Sequence, residues 1–175
     1  MGGSRASRLD RHERYLIQEP SQILRALPPP PRGSALELGC GTGFFTLPLA
    51  ELLGGETLLI ALDPEAEMLE ALREKLRLNH RLHITPLRAE GEHLPLREGS
   101  LALVLAAHLM HHHGSPPALF TEALRVLKPG GLLAIIDWEK EKSPEALTHG
   151  PEYERRVASG AVAELFGEAG FTSLA

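Results

Sequence analysis

The stretch A-L-E-L-G-C-G-T-G-F-F-T-L, from Ala35 to Leu47, constrains the fold more than anything else in the chain. The apolar pair Leu36 and Leu38 flanks Glu37, and Gly39, Gly41 and Gly43 follow at every second position. This pattern predicts a short buried strand, a glycine-rich turn and a helix starting near Gly43. Glycine has no Cβ, so it takes positive φ and lets a ligand lie directly on backbone. The helix's free N–H groups and positive dipole end would face the crevice beyond the strand. In an open α/β sheet, that crevice is where nucleotide-like ligands bind.

The dinucleotide fingerprint is G-x-G-x-x-G. Here Phe44 stands where its last glycine would fall, and the acid Glu37 is not one that pattern asks for. The stretch E-L-G-C-G-T-G-F-F instead resembles motif I of the class I S-adenosylmethionine-dependent methyltransferases. In that family the loop wraps the methionine half of the cofactor. The resemblance therefore implies cofactor contacts at Glu37, Gly39, Cys40, Gly41, Thr42, Gly43 and Phe44. The competing reading is a tight strand–helix turn with no ligand.

At 175 residues, with 43% hydrophobic content, the chain is one domain with enough apolar side chains for a real core. A formal charge of −5 argues against a dedicated nucleic-acid binder, which carries a strongly basic face. Cys40 is the only cysteine, which excludes an intramolecular disulfide and a cysteine-based zinc site. It reads as a small packing residue rather than a nucleophile. No window approaches the ~18 apolar residues of a membrane span, and no signal-peptide core is evident. The expectation is a soluble cytoplasmic protein.

Residues 1–19 are polar and carry Arg5, Arg8, Arg11 and Arg14. They are expected to be a flexible segment ahead of a domain spanning 20–175. Pro20 to Leu27 predicts a short helix, stopped by the run Pro28 to Pro31. After the glycine loop, a helix running to about Leu53 ends at Gly54-Gly55, with Pro48 predicting a kink or early break. Thr57 to Leu62 is a second buried strand ending in Asp63, an acid about 20 residues after the glycine loop, where a ribose diol is gripped. Asp63-Pro64 also reads as a helix cap plus first helical proline, and one carboxylate can serve both uses. Glu65 to Leu78 is an amphipathic helix with Met68, Leu69, Leu72 and Leu76 inward and Lys75 among its solvated charges. The resemblance adds Pro64 and Met68 to the cofactor set, although Met68 alone reads as core.

Arg81 to Leu87 alternates and predicts a third strand. The following Ala89-Glu90-Gly91-Glu92-His93-Leu94-Pro95 resembles the family stretch G-D-A-E-x-L-P. That likeness implies adenine contacts from Glu90, with Gly91 and Glu92 giving backbone. Ser100 to Ala107 is a continuous apolar run, fit for a central strand buried on both faces. Ala106 and Ala107 at its end are expected to line the methionine side of the pocket. His108-Leu109-Met110-His111-His112-His113 follows. Consecutive histidines are a poor metal set, so no metal is expected. His111 is the candidate general base, since an imidazole titrates near working pH. The alternative is a polar loop bordering the substrate cavity.

The stretch E-A-L-R-V-L-K-P-G-G-L-L-A-I-I-D is a second match to the family: a helix from Pro116 to Leu127, a proline–glycine turn, and a fifth strand from Leu132 to Ile136. Asp137 and Trp138 end that strand. Residues 139–153 form a polar loop, with Arg155 or Arg156 as candidates for an anionic substrate. A last helix from Ser159 or Gly160 buries Val162, Leu165 and Phe166, and Phe171 opens a sixth strand.

The resemblance thus implies an α/β, Rossmann-like doubly wound fold, mostly parallel, with helices on both faces and the C-terminal strand hairpin missing. Strand five would then be an exposed apolar edge; the expectation is that another chain, such as a second copy, covers it, or that the domain is marginal. The likeness is nearest to small-molecule methyltransferases of the quinone-biosynthesis and arsenite type. It implies S-adenosylmethionine as cofactor and a small-molecule methyl acceptor. With Cys40 alone, arsenite chemistry is disfavoured. Rival readings are a catalytically silent cofactor-binding subunit and, less favoured by the glycine spacing, an NAD-dependent oxidoreductase.

Overall fold

The computed structural model describes residues 14, 17–78, 82–110, 116–142 and 150–172. Its centre is a five-stranded sheet in the order β3-β2-β1-β4-β5, all pairs parallel. The strands are β1 (Ala35–Leu38), β2 (Leu59–Leu62), β3 (Ile84–Leu87), β4 (Leu101–Ala107) and β5 (Leu127–Ile136). Every residue of β1 and β4 is buried, as continuous apolar runs between parallel neighbours require. Chain order reverses at β1: Leu38 pairs with Leu62 on one side and with Ala106 on the other. That reversal is the topological switch point.

Helices cover both faces, and the strand period of two sorts their partners. Leu36, Leu38, Val104 and Ala106 pack beneath α4 (Pro116–Val126), with Val162, Leu165 and Phe166 of α5 (Ser159–Glu168) against the same core. Ala35, Leu103, Leu105 and Ala107 face the opposite way, toward α1 (Pro20–Arg25) and α2 (Thr46–Leu52). Leu69 and Leu72 of α3 (Ala66–Leu76) close over Ala61 and Cys40 on that second face. Among the described residues no helix is long and apolar enough to cross a membrane.

Several boundaries differ from the sequence expectation for identifiable reasons. The helix after the glycine loop starts at Thr46, not near Gly43. Three glycines in the left-handed region cannot be a helical turn, so the chain stays in turns until Phe45. Pro48 falls in the first turn of α2, where its missing N–H has no partner to lose, so it neither kinks nor breaks the helix. The stop at Gly54-Gly55 holds: Gly55 N–H donates to Ala50 O at 2.9 Å and Gly54 N–H to Glu51 O at 3.0 Å, both glycines at positive φ.

The Lys128–Gly131 segment is not a free turn but a bulge inside β5. Leu127 pairs with Leu101 and Leu132 with Leu103, so four residues stand against Ala102 alone. β3 begins at Ile84 and is an edge strand; Pro86 is tolerated there because an edge leaves one ladder side empty. Phe171 is not in a strand: its ring packs edge-on against Phe166 at 5.3 Å. Val162, Leu165 and Phe166 are half-buried rather than buried. β5 ends the sheet, and an open groove of about 1240 Å³ runs along it between Leu132 to Ile135 and the α5 residues Val162 and Phe166.

Candidate active site

The carboxyl ends of β1, β2 and β4 converge at the switch point. Gly39, Gly41 and Gly43 take φ of +66°, +53° and +93°, conformations that a side chain opposes. A Cβ on Gly39 would lie 2.7 Å from Leu109 Cδ1, and one on Gly43 2.7 Å from Leu72 Cδ1. The loop is therefore bare peptide packed tightly from below. Cys40 N–H donates to Leu62 O at 2.9 Å and Gly43 N–H to Cys40 O at 3.0 Å. Lys75 of α3 donates to Thr42 O at 2.7 Å, so this half-buried lysine is a loop anchor and not one of a set of solvated charges.

Asp63 is 7% exposed and aims at the loop. Its Oδ2 accepts from Gly41 N–H at 2.9 Å, and its Oδ1 accepts from Glu65 N–H at 2.9 Å. The carboxylate thus ties the tip of β2 to the loop after β1 and also shapes the entry to α3. Each oxygen can accept more than one hydrogen bond. Pro64 follows half-buried, its carbonyl accepting from Arg88 Nε at 3.0 Å. Met68 is 2% exposed and serves as packing within α3.

Glu37 is 2% exposed on the β1 face that looks toward α2, and its Oε2 accepts no hydrogen bond. Burial pushes its carboxyl up to about 8; Asp63 adds to this, while Thr46 and Arg14 oppose it. Cys40 is buried, and burial followed by the charges of Glu37 and Asp63 drives its thiol far above the usual range. Such a thiol is inert as a nucleophile. Thr42 and Phe44 are also buried, with the Phe44 ring edge-on to Phe45 at 5.2 Å.

After β3, Glu90 is exposed, Gly91 buried and Glu92 half-buried. A Cβ on Gly91 would meet Leu119 Cδ1 at 2.7 Å, so that leucine would have to shift to admit one. The segment is stapled from α4. Glu122 accepts from Leu94 N–H at 2.8 Å, while Arg125 donates to Leu94 O at 2.9 Å and Leu96 O at 2.8 Å and holds Glu122 through both carboxylate oxygens. The E-A-L-R part of the second matching stretch is this staple.

Ala106 and Ala107 sit at the end of β4, but their side chains enter cores on opposite faces of the sheet. The two methyl groups therefore do not line one wall, a consequence of the strand period. His111 lies outside the described residues. His108, the first residue of the histidine-rich run, is the one non-glycine residue at positive φ (+56°) among the described residues. Its imidazole lies against the rings of Phe45 at 5.5 Å and Trp138 at 5.7 Å. Asp137 holds this corner: its Oδ2 accepts from Met110 N–H and its Oδ1 from Trp138 N–H, both at 2.8 Å. Of Arg155 and Arg156, the candidates for an anionic substrate, Arg155 is exposed, while Arg156 is 4% exposed over the Trp138 ring, with its Nε donating to Pro151 O at 3.0 Å. Arg14, from the segment read as a tail, reaches the mouth of the site. Its guanidinium stands 3.8 Å above the Phe44 ring, and its Nη2 is 3.5 Å from His108 Nδ1.

A parallel doubly wound sheet with a left-handed glycine loop at its switch point, bonded to an acid at the tip of β2, defines a nucleoside-binding α/β domain. Within that class, the chain belongs to the methyltransferase domain family, whose pattern matches residues 36–135. Its architecture is that of the class I S-adenosylmethionine-dependent methyltransferases. A solved S-adenosylmethionine-dependent methyltransferase from Aquifex aeolicus superposes with a TM-score of 0.84 at 26% identity, covering 97% of this chain and 88% of that one. A demethylmenaquinone methyltransferase from Lactococcus lactis is 34% identical over 104 residues, 59% of this chain and 41% of the relative. A malonyl-[acyl-carrier protein] O-methyltransferase from a Marinomonas species is 34% identical over 124 residues, 71% of this chain and 45% of the relative. The chain therefore spans less than half the length of these two curated relatives.

Proposed function

We propose that the chain binds S-adenosylmethionine across the carboxyl ends of β1, β2 and β4 and transfers its methyl group to a small-molecule acceptor. The observation that carries this reading is the bond between Asp63 and Gly41, which joins the acid at the tip of β2 to the bare glycine loop. The residues present fit such a nucleoside. Gly39, Gly41 and Gly43 hold positive φ, which a side chain opposes, and a buried carboxyl oxygen of Glu37 is left without a hydrogen bond. When bound, the cofactor supplies a methyl group activated on a sulfonium.

In this reading Gly39, Cys40, Gly41, Thr42, Gly43 and Phe44 offer backbone to the amino-acid tail, with Glu37 beneath it. Asp63 takes the ribose hydroxyls, with Pro64 beside it and Met68 packed below. Glu90, Gly91 and Glu92 attend the adenine, and the Ala106-Ala107 backbone borders the reacting end. His111, five positions past Ala106 in the sequence, is the candidate to take a proton from the acceptor. Most of the rate would come from alignment, because holding two reactants in line supplies a large part of such a barrier. A second copy of the chain is the proposed partner along β5.

Titration calorimetry with S-adenosylmethionine, S-adenosylhomocysteine and NAD tests the binding step. Heat from the first two and none from NAD is expected. Asp63→Asn should weaken both by roughly tenfold or more, since one of the two accepting oxygens becomes an NH2 donor facing a backbone N–H. Binding of NAD alone, or of neither nucleoside, overturns the reading. Transfer of a radiolabelled methyl group to a panel of quinols, phenols and carboxylic acids then tests the chemistry.

A further inference from the structure

Arg14 belongs to a segment that the sequence leaves outside the domain, yet its guanidinium stands at the site. It stacks on Phe44, the residue that follows the last glycine of the loop, and reaches His108 at the end of β4. Its charge also bears on Glu37 within β1. Arg14 therefore spans the gap between β1 and β4, which is the switch point itself. His108 is held there in a left-handed conformation that is strained for a non-glycine residue, with its N–H donating to Ile136 O at 2.7 Å.

The guanidinium at this mouth suits one end of a zwitterionic ligand. A free α-amino acid tail carries one carboxylate and one ammonium. A guanidinium presents a planar fork of N–H donors that matches a carboxylate in two parallel hydrogen bonds. Stacking on Phe44 fixes the plane of the fork. Phe44 itself is set by the glycine loop over which the tail is proposed to lie.

We propose that Arg14 binds the carboxylate of the cofactor's amino-acid tail, making this N-terminal residue part of the cofactor site. The assignment rests on the methyl-donor reading given above, and it deepens that reading by naming the group that recognises the tail's negative charge. Arg14 is then a binding residue whose effect depends on one functional group of the ligand.

The test is calorimetry on the whole chain, wild type, Arg14→Ala and Arg14→Lys, with two probes: S-adenosylhomocysteine, which has the carboxylate, and decarboxylated S-adenosylmethionine, which lacks it. Wild type should prefer the first probe, and Arg14→Ala should weaken it by roughly tenfold or more. Binding of the decarboxylated probe should stay within about twofold. Arg14→Lys, which keeps the charge and loses the fork, should fall between. Equal thermal melting of the three proteins checks the fold. Unchanged affinity in Arg14→Ala, or equal loss for both probes, overturns the Arg14 assignment alone. If wild type binds neither probe, the cofactor reading falls and the assignment falls with it.

Discussion

Glu37 is a carboxyl with almost no contact with water in the middle of a parallel sheet, and that makes it a proton-binding site of the folded state. Burial raises its pKa from 4.5 to about 8, with Asp63 adding to the rise and Thr46 and Arg14 opposing it. The unfolded chain releases this proton near 4.5 and the folded chain near 8, so the folded state binds more protons between those values. Stability from this group is fully present below about 4.5 and is lost as pH rises toward 8. Glu37→Gln removes the titration. Urea midpoints measured across that window should therefore fall less with rising pH in the variant, the missing slope being at most about 1.4 kcal/mol per pH unit. Identical slopes would refute the buried-proton account. A local pattern shows an acid before glycines; it does not show that α2 will seal that acid from water.

Among the elements, α4 does more than cover the sheet. Glu122 and Arg125 lie one turn apart on it and hold the 94–96 segment through backbone groups. The Arg125 bond holds the Glu122 carboxyl down to about 2, and the Leu94 N–H adds to this. A depressed carboxyl contributes stability above its unfolded pKa of 4.5 that is lost as pH falls toward 2. Glu122→Gln should thus be less stable than wild type at neutral pH, with the gap closing on acidification through that window. Thermal melting at a series of pH values checks this, and amide exchange at Leu94 should speed up in the variant. The helix itself was legible from its apolar stripe, and so was the glycine stop of α2. The late start of α2 was not, because positive φ at three positions outweighs the helical pattern that follows.

At the scale of the molecule, the open feature is β5. It ends the sheet with no strand beyond it among the described residues, beside a groove flanked by α5. An unpaired parallel edge invites pairing with another chain. Light scattering should give twice the 19.0 kDa chain mass; a monomer at high concentration would refute the proposed second copy. The sequence by itself determined the order of strands and helices, the glycine loop and the acid at the tip of β2. Those follow from apolar periodicity and from glycine's access to positive φ, both properties of a few neighbouring residues. Only the tertiary structure decided that Asp63 bonds Gly41, that Lys75 anchors Thr42 and that Arg14 stands over Phe44. These contacts join residues 22, 33 and 30 positions apart. Such distances are closed by sheet register and helix packing, which no local pattern encodes.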